Sequence, residues 1–188
     1  MGVDRIAVVI LAAGQSTRFG SQKMNHSLAD GKTILQTCIR QYQKVFSNVT
    51  VVISNDSTLE RSLKDSNVNI VVAEYAVKGM SQSLITGIQS QINADAWLIA
   101  LGDMPYIKTS TFEKLASQST KSNIVVPVCS GRRGNPVIFG CDFQAELLDL
   151  EGDVGAKQII ELNQSRVLKV QVDDEGILHD IDRAEDIL

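Results

Sequence analysis

The sequence predicts an α/β protein with three layers, in which helices cover both faces of a mostly parallel, twisted sheet. Short apolar runs alternate with segments whose apolar residues recur every three or four positions, which is typical of βαβ units. The first run, Ile6–Leu11, contains no polar residue, as expected of a strand buried on both faces. The length of 188 residues suits one domain, so we expect residues 1–188 to form a single unit.

The remaining elements follow from the same two patterns. Further strands are predicted at 49–54, 68–73, 96–100 and 123–128. Helical spacing predicts four helices between the strands, marked by Ile34, Ile39, Tyr42 and Phe46, by Leu59 and Leu63, by Leu84, Ile88 and Ile92, and by Phe112 and Leu115. After residue 128 the pattern loosens into a loop at 130–135, strands at 136–139, 167–172 and 177–181, helices at 143–150 and 156–163, and a final helical turn at 184–188.

Composition narrows the class of protein. The net charge of −4 lacks the basic surplus of a nucleic-acid binder. The longest apolar run is too short to cross a bilayer, and the N-terminus has no secretory pattern, so we expect a cytoplasmic protein without a membrane partner. The three cysteines form no Cys-x-x-Cys pair, which argues against a zinc site or a disulfide framework and favours buried, reduced thiols.

A glycine-rich segment at 11–23 follows the first predicted strand directly. Gly14 and Gly20 permit a tight path on which backbone N–H groups approach a phosphate chain. Arg18 and Lys23 add two positive charges suited to a triphosphate. Five residues separate the two glycines and the lysine stands three positions past the second, so the segment fits neither the P-loop nor the dinucleotide fingerprint.

The segment 11–23 reads Leu-Ala-Ala-Gly-x-Ser-x-Arg-x-Gly-x-x-Lys. This pattern resembles the N-terminal signature of nucleotidyltransferases with the glycosyltransferase-A-like, nucleotide-diphospho-sugar transferase fold. Among these it is most similar to the molybdenum cofactor cytidylyltransferase family, whose members contain a MobA-like NTP transferase domain. The resemblance implies nucleotide contacts at Leu11, Ala12, Ala13 and Gly14 and catalytic roles for Arg18 and Lys23. Asn-His-Ser at 25–27 departs from the family, in which an apolar residue and a proline are frequent.

A second segment, Gly-Met-Ser-Gln-Ser-Leu at 79–84, precedes a predicted amphipathic helix. The free N–H groups of a helix start suit an anion or a base carbonyl, although a serine there can also serve simply as an N-cap. The resemblance implies that Gly79, Met80 and Ser83 contact the nucleotide base. Together with Ala13, this segment favours cytosine over guanine within the family.

Carboxylates supply the predicted metal site. Asp103 follows Gly102, which we also expect to contact the nucleotide, at the end of the strand predicted at 96–100, where α/β proteins bind their ligands. Mg²⁺ prefers one or two carboxylates together with phosphate oxygens. The resemblance assigns Mg²⁺ to Asp103, and we expect Asp182 to complete the site with support from Asp180, because a strand at 177–181 would place both C-terminal carboxylates on one face.

Two later segments complete the resemblance. Asn135 stands where the family has histidine, and Asp153 lies in Gly-Asp-Val-Gly-Ala-Lys, where Lys157 replaces an arginine that a lysine cannot copy as a bidentate contact. Both segments are predicted to bind substrate, although an N-cap role for Asp153 is equally consistent with the sequence. Arg132 and Arg133 suit either an acceptor phosphate or a solvated charge pair.

Taken in family order from residue 11 to residue 182, these matches predict a Mg²⁺-dependent enzyme that transfers CMP from CTP, or another NMP from its NTP, to a phosphorylated acceptor. The resemblance makes molybdopterin the expected acceptor and a molybdoenzyme a transient partner. Two alternatives stay open: the same chemistry on a sugar or polyol phosphate, and a non-catalytic nucleotide- or cofactor-binding partner of a molybdoenzyme.

Overall fold

The computed structural model describes residues 2–14, 19, 22–74, 79–152 and 155–188. The strands in this part of the chain are β1 Ile6–Leu11, β2 Val49–Ile53, β3 Asn69–Val72, β4 Ala96–Leu101, β5 Ile124–Cys129, β6 Arg132–Arg133, β7 Val137–Gly140 and β8 Val167–Gln171. The α-helices are α1 Ile34–Gln43, α2 Ser57–Ser62, α3 Met80–Ser90, α4 Thr109–Gln118, α5 Gln144–Leu148 and α6 Lys157–Leu162. Arg18 and Asp153, both predicted to bind substrate, lie outside the described residues.

All these strands join one mixed sheet in the order β3-β2-β1-β4-β7-β5-β6, with β8 also paired to β5. The pairs β1–β2, β2–β3, β1–β4 and β5–β8 are parallel, whereas β7 runs antiparallel to β4 and β5, and β6 antiparallel to β5. Parallel pairs therefore outnumber antiparallel ones only narrowly. The antiparallel pairs lie around β7, which the chain reaches through a tight hairpin rather than a helical crossover.

Helices cover both faces of the sheet, which confirms the predicted three-layer α/β class. Alternate residues of β1 point to opposite faces: Ile6, Val8 and Ile10 join one core cluster, and Ala7, Val9 and Leu11 join the other. The first cluster is completed by α1 and α4, and the second by α3, α5 and α6. Because β1 is buried on both faces, its carboxyl end is held rigidly between the two layers.

Several helix ends depend on side-chain caps. Thr33 and Gln36 form a reciprocal capping box that starts α1, and Asp56 accepts hydrogen bonds from the Thr58 and Leu59 N–H groups at the start of α2. Position 87 in α3 requires glycine, because a Cβ there would come within 2.3 Å of the Val9 Cγ1 atom. Helix α3 therefore packs directly on the central strand.

The predicted strand at 177–181 was wrong. A 3₁₀ helix spans Glu175–Leu178 instead, and residues 179–182 form no strand. The cause is Asp174, a buried carboxylate that accepts hydrogen bonds from the Gly176 and Lys108 N–H groups and from the Thr111 hydroxyl. The bond to Gly176 is local and the bonds to Lys108 and Thr111 are long-range, and together they fix the backbone around Asp174 in a conformation other than a strand.

Smaller differences also have local causes. The predicted loop at 130–135 contains the short strand β6, because Ser130 and Gly131 both take positive φ angles, 50° and 76°, and so close a tight hairpin. Cys38 and Cys129 are buried as expected, but Cys141 is partly exposed. Within the described residues, no helix is long and apolar enough to cross a membrane.

Candidate active site

The two strongest sequence motifs meet at the carboxyl ends of β1 and β4. These strands are parallel neighbours, with Leu11 opposite Leu101. The Gly102 N–H group donates to the Leu11 carbonyl oxygen at 3.0 Å. A Cβ at Gly102 would lie 3.2 Å from the Ala12 Cβ and 3.3 Å from the Leu11 carbonyl oxygen, so glycine permits this close approach. The segments that follow the two strands therefore leave the sheet side by side.

Lys23 brings three of the predicted site residues together. It begins a short 3₁₀ turn, Lys23–Asn25, and its side chain is buried. The Lys23 Nζ atom lies 2.7 Å from Asp103 Oδ2 and 3.4 Å from Asp182 Oδ1. The Asp103 side chain is 17% exposed and the Asp182 side chain 41%, so the cluster opens toward solvent on the Asp182 side.

The C-terminal segment reaches this cluster without forming the predicted strand. The Ile181 N–H group donates to the Asp103 carbonyl oxygen at 3.0 Å, which fixes the backbone next to Asp182. Asp186 Oδ2 accepts hydrogen bonds from the N–H groups of Asp182 and Arg183, at 2.9 and 2.7 Å. The sequence did not indicate Asp186, because nothing in the pattern shows that the last turn folds back on Asp182.

The two carboxylates suit a divalent cation. Asp103 Oδ1 is buried and has no hydrogen-bond partner among the described residues, so it is an acceptor whose hydrogen-bonding capacity a cation could satisfy. Hard oxygen donors are the ligands that Mg²⁺ and Mn²⁺ prefer. No group of three or more His, Cys, Asp or Glu side chains able to hold a metal occurs in the described part of the chain. A cation here would take its other ligands from phosphate and water, as Mg²⁺ does in nucleotide sites.

Beneath the cluster, Cys38 packs against the end of β4, and its Sγ atom lies 3.5 Å from the Leu101 carbonyl oxygen. Burial raises the pKa of the Cys38 thiol well above its ordinary value, and the nearby negative charge of Asp103 raises it further. The thiol is therefore neutral at physiological pH and does not compete for a metal as thiolate.

A cavity of about 300 Å³ opens at the carboxyl ends of β1 and β4. Leu11 and Leu101, the last residues of these strands, form part of its wall. Among the residues that the structure describes, the wall is mostly apolar, and Arg133, Asn135 and Lys157 are its polar side chains. Lys23, Asp103 and Asp182 do not line this cavity, so the charged cluster and the cavity are distinct, although both adjoin the carboxyl ends of β1 and β4.

In the segment 79–84, which is predicted to contact the nucleotide base, some side chains face the cavity and others are buried in the core. Gly79, with a φ of 121°, adopts a conformation that L side chains rarely take and turns the chain into α3. Met80 lines the cavity, whereas Ser83 is buried. Ser81, which the sequence did not single out, is also buried, and its Oγ atom has no hydrogen-bond partner among the described residues.

The other predicted residues are placed as follows. Ala12 and Ala13 are buried and Gly14 is exposed, at the point where the chain leaves β1. Asn135 lines the cavity, and its N–H group donates to the Ile177 carbonyl oxygen at 2.9 Å. Asp180 is exposed and is not part of the charged cluster. The sequence missed the apolar cavity wall, because side chains such as Ile160 have the spacing of ordinary core residues.

Comparisons with known proteins agree with this fold. A probable molybdenum cofactor guanylyltransferase of Natranaerobius thermophilus is 26% identical over 130 residues, which cover 68% of this chain and 62% of the relative. Among other curated relatives that the chain matches, it spans 26% of the length of one and 66% of the length of another.

Solved structures match more of the chain. A homologue of Mycobacterium tuberculosis Rv0371c, from Mycobacterium sp. strain JC1, superposes with a TM-score of 0.85 at 25% identity, covering 97% of this chain and 92% of that chain. Rv0371c of Mycobacterium tuberculosis H37Rv in complex with manganese has the same fold, with a TM-score of 0.80 at 22% identity and coverage of 96% and 95%. Residues 8–169 match the MobA-like NTP transferase domain, and the chain therefore belongs to this family of nucleotidyltransferases.

Proposed function

We propose that this protein transfers CMP from CTP to a phosphorylated acceptor, molybdopterin, with the help of Mg²⁺ or a similar divalent cation. One observation carries the proposal: a buried lysine and two carboxylates converge near the end of β1, where the segment that resembles the family's N-terminal signature begins. This is the combination of charges that a nucleoside triphosphate and its metal require.

In this proposal Asp103 and Asp182 hold the cation, which supplies positive charge to the phosphates when bound. The unpartnered Asp103 Oδ1 atom supports this assignment, and the manganese complex of Rv0371c is a precedent within the fold. The backbone from Leu11 to Gly14 approaches the phosphate chain, and Arg18 and Lys23 neutralise the triphosphate and the leaving pyrophosphate.

The nucleophile is an oxygen of the acceptor phosphate, which attacks the α-phosphorus in line and displaces pyrophosphate. A phosphate monoester is already ionised near neutral pH, so the reaction depends on positioning and charge neutralisation more than on a general base. Asn135, which replaces the family's histidine, would act by hydrogen bonding alone, since an amide does not titrate near neutrality.

The choice of CTP rests on Ala13 and on the Gly79, Met80 and Ser83 segment, which resemble the cytidylyltransferase pattern. The named relative in Natranaerobius is a guanylyltransferase, so GTP is the competing donor. A panel of CTP, GTP, UTP and ATP with one acceptor separates these predictions through the ratio of kcat/KM values.

The cavity is lined by Leu11 and Met80, which the resemblance assigns to the nucleotide, and by Asn135 and Lys157 from the two later segments, which we assign to the acceptor. Its wall is largely apolar, which suits a ring system better than a polyhydroxylated sugar or polyol. Arg133 and Lys157 are exposed residues at its margin and can pair with an anionic substituent. Molybdopterin combines a ring system with a phosphate, which favours it over sugar and polyol phosphates. Under this proposal the reaction is cytoplasmic, and the product passes to a molybdoenzyme by transient contact.

The test measures pyrophosphate release from CTP and Mg²⁺ with molybdopterin, sugar phosphates and polyol phosphates as acceptors. Turnover with molybdopterin supports the proposal. Turnover with a sugar or polyol phosphate alone would replace the acceptor while keeping the chemistry. Tight nucleotide binding without turnover on any acceptor would favour the non-catalytic partner role.

A further inference from the structure

Lys23 lies in an unusual place for a residue proposed to grip a triphosphate. Its ammonium group is buried and contacts both proposed metal ligands, Asp103 and Asp182, at 2.7 and 3.4 Å. A buried positive charge is costly unless opposite charges pair with it. Between two carboxylates, the ammonium meets that requirement in the absence of any ligand.

The same position is the one a coordinated cation needs. Mg²⁺ binds oxygen at about 2.1 Å, so two directly coordinated oxygens lie at most about 4.2 Å apart. The ammonium nitrogen lies 2.7 Å from Asp103 Oδ2 and 3.4 Å from Asp182 Oδ1, and an ion that coordinates the same two oxygens would need space that the ammonium partly occupies. An ammonium and a divalent ion cannot share that space, and their like charges repel strongly at such a distance.

Formal charge leads to the same conclusion. One ammonium against two carboxylates leaves a single negative charge, a weak attraction for a divalent ion. If the ammonium moves to a triphosphate, two negative charges remain for the ion. The four-carbon stem of lysine makes such a movement feasible without a change of backbone.

We propose that the Lys23 ammonium stands in for the divalent cation between Asp103 and Asp182, so that the cation is seated only when a nucleoside triphosphate draws the ammonium away. This inference rests on the proposed function, because it assumes that these carboxylates hold the metal. It predicts that metal and nucleotide bind as a coupled pair and that the protein alone holds metal weakly.

The experiment measures Mn²⁺ binding to the nucleotide-free protein by the electron paramagnetic resonance signal of free Mn²⁺. Lys23→Met removes the charge while keeping a long apolar stem. Lys121→Met is the matched control, because Lys121 pairs with Asp95 at 3.0 Å, just before β4 and at the opposite end of that strand. We expect Lys23→Met to bind Mn²⁺ at least about tenfold more tightly than the wild type, since a unit charge about 4 Å away changes binding by far more than this unless water screens it.

The control should bind Mn²⁺ as the wild type does. Adding Asp103→Asn to Lys23→Met should abolish the gain, which would locate the new affinity at these carboxylates. Mn²⁺ should also raise the Tm of Lys23→Met more than that of the wild type. If Lys23→Met does not fold, Lys23→Gln carries the comparison, because it is neutral and still donates hydrogen bonds.

Unchanged or weaker Mn²⁺ binding in the Lys23 variants would overturn the inference. A gain shared by Lys121→Met would overturn it as well, because the effect would then reflect overall charge. These results do not depend on turnover. Suppose that the wild type releases pyrophosphate but the Lys23 variants bind Mn²⁺ no more tightly than it does: this would reject the inference alone. If the Lys23 variants gain Mn²⁺ affinity but the wild type turns over no acceptor, the proposed reaction alone is rejected.

Discussion

Replacing Asp103 with alanine should greatly lower kcat while changing the free energy of unfolding only slightly. Removing one partner of a buried ion pair typically costs about 3–5 kcal/mol, because the other charge is stranded. Here Lys23 keeps Asp182 at 3.4 Å, and the substitution also removes the buried Asp103 Oδ1 atom, an unpartnered acceptor of the kind that costs about 1–3 kcal/mol. These effects oppose each other, so we expect the free energy of unfolding to change by less than about 2 kcal/mol.

Catalysis should respond far more strongly than stability. Loss of a metal ligand should lower kcat at least about 100-fold, equivalent to about 2.7 kcal/mol of activation free energy. Pyrophosphate release gives kcat, and denaturant unfolding gives the stability of the same preparation. Asp103→Asn is the matched control, because it keeps the shape and a hydrogen-bond acceptor but loses the charge, and it should be nearly as inactive. Near-wild-type turnover in either variant would refute the metal assignment.

Three further predictions test the surroundings of the site. Asp186→Ala should lower kcat by about tenfold, because two hydrogen bonds that hold the Asp182 backbone are lost. Asp186→Asn keeps an acceptor oxygen and should retain most activity. Equal kcat values in the wild type and both variants would contradict this positioning role. Gly87→Ala should destabilise the fold by about 1–3 kcal/mol in denaturant unfolding, because its Cβ meets Val9, and an unchanged midpoint would show that the interface yields easily. Because burial raises the pKa of Cys38, this thiol should stay protonated and resist alkylation at pH 8 in the folded protein, and rapid native-state labelling would contradict its burial.

Apolar spacing predicted the core of the fold well. The parallel strands β1 and β4 are continuous apolar runs, β2 is interrupted only by Thr50, and the structure buries almost every residue in them. The strand prediction at 177–181 failed because the alternating pattern carries no information about Asp174. The hydrogen-bond partners of Asp174 at the start of α4 are more than 60 positions away in sequence. Tertiary hydrogen bonds decided the local structure there.

The candidate site was predictable only in part. Motif residues at the strand ends could be expected to meet, since parallel strands place their carboxyl ends at one edge. The contacts of Lys23 could not be predicted, because a signature lysine in this position suggests a phosphate partner. The apolar cavity was also hidden, since residues such as Ile160 and Val137 have the same spacing whether they face a void or a neighbour.

The charged cluster joins residues that are remote along the chain. Lys23 is 80 positions from Asp103 and 159 positions from Asp182. Closing loops of that length costs conformational entropy that only the surrounding core can offset. The cluster is therefore intact only where the core that positions β1, β4 and the C-terminal segment has formed. Seating of a metal ion would accordingly report that the whole molecule has reached its native state, and partly folded chains would be kept from binding it.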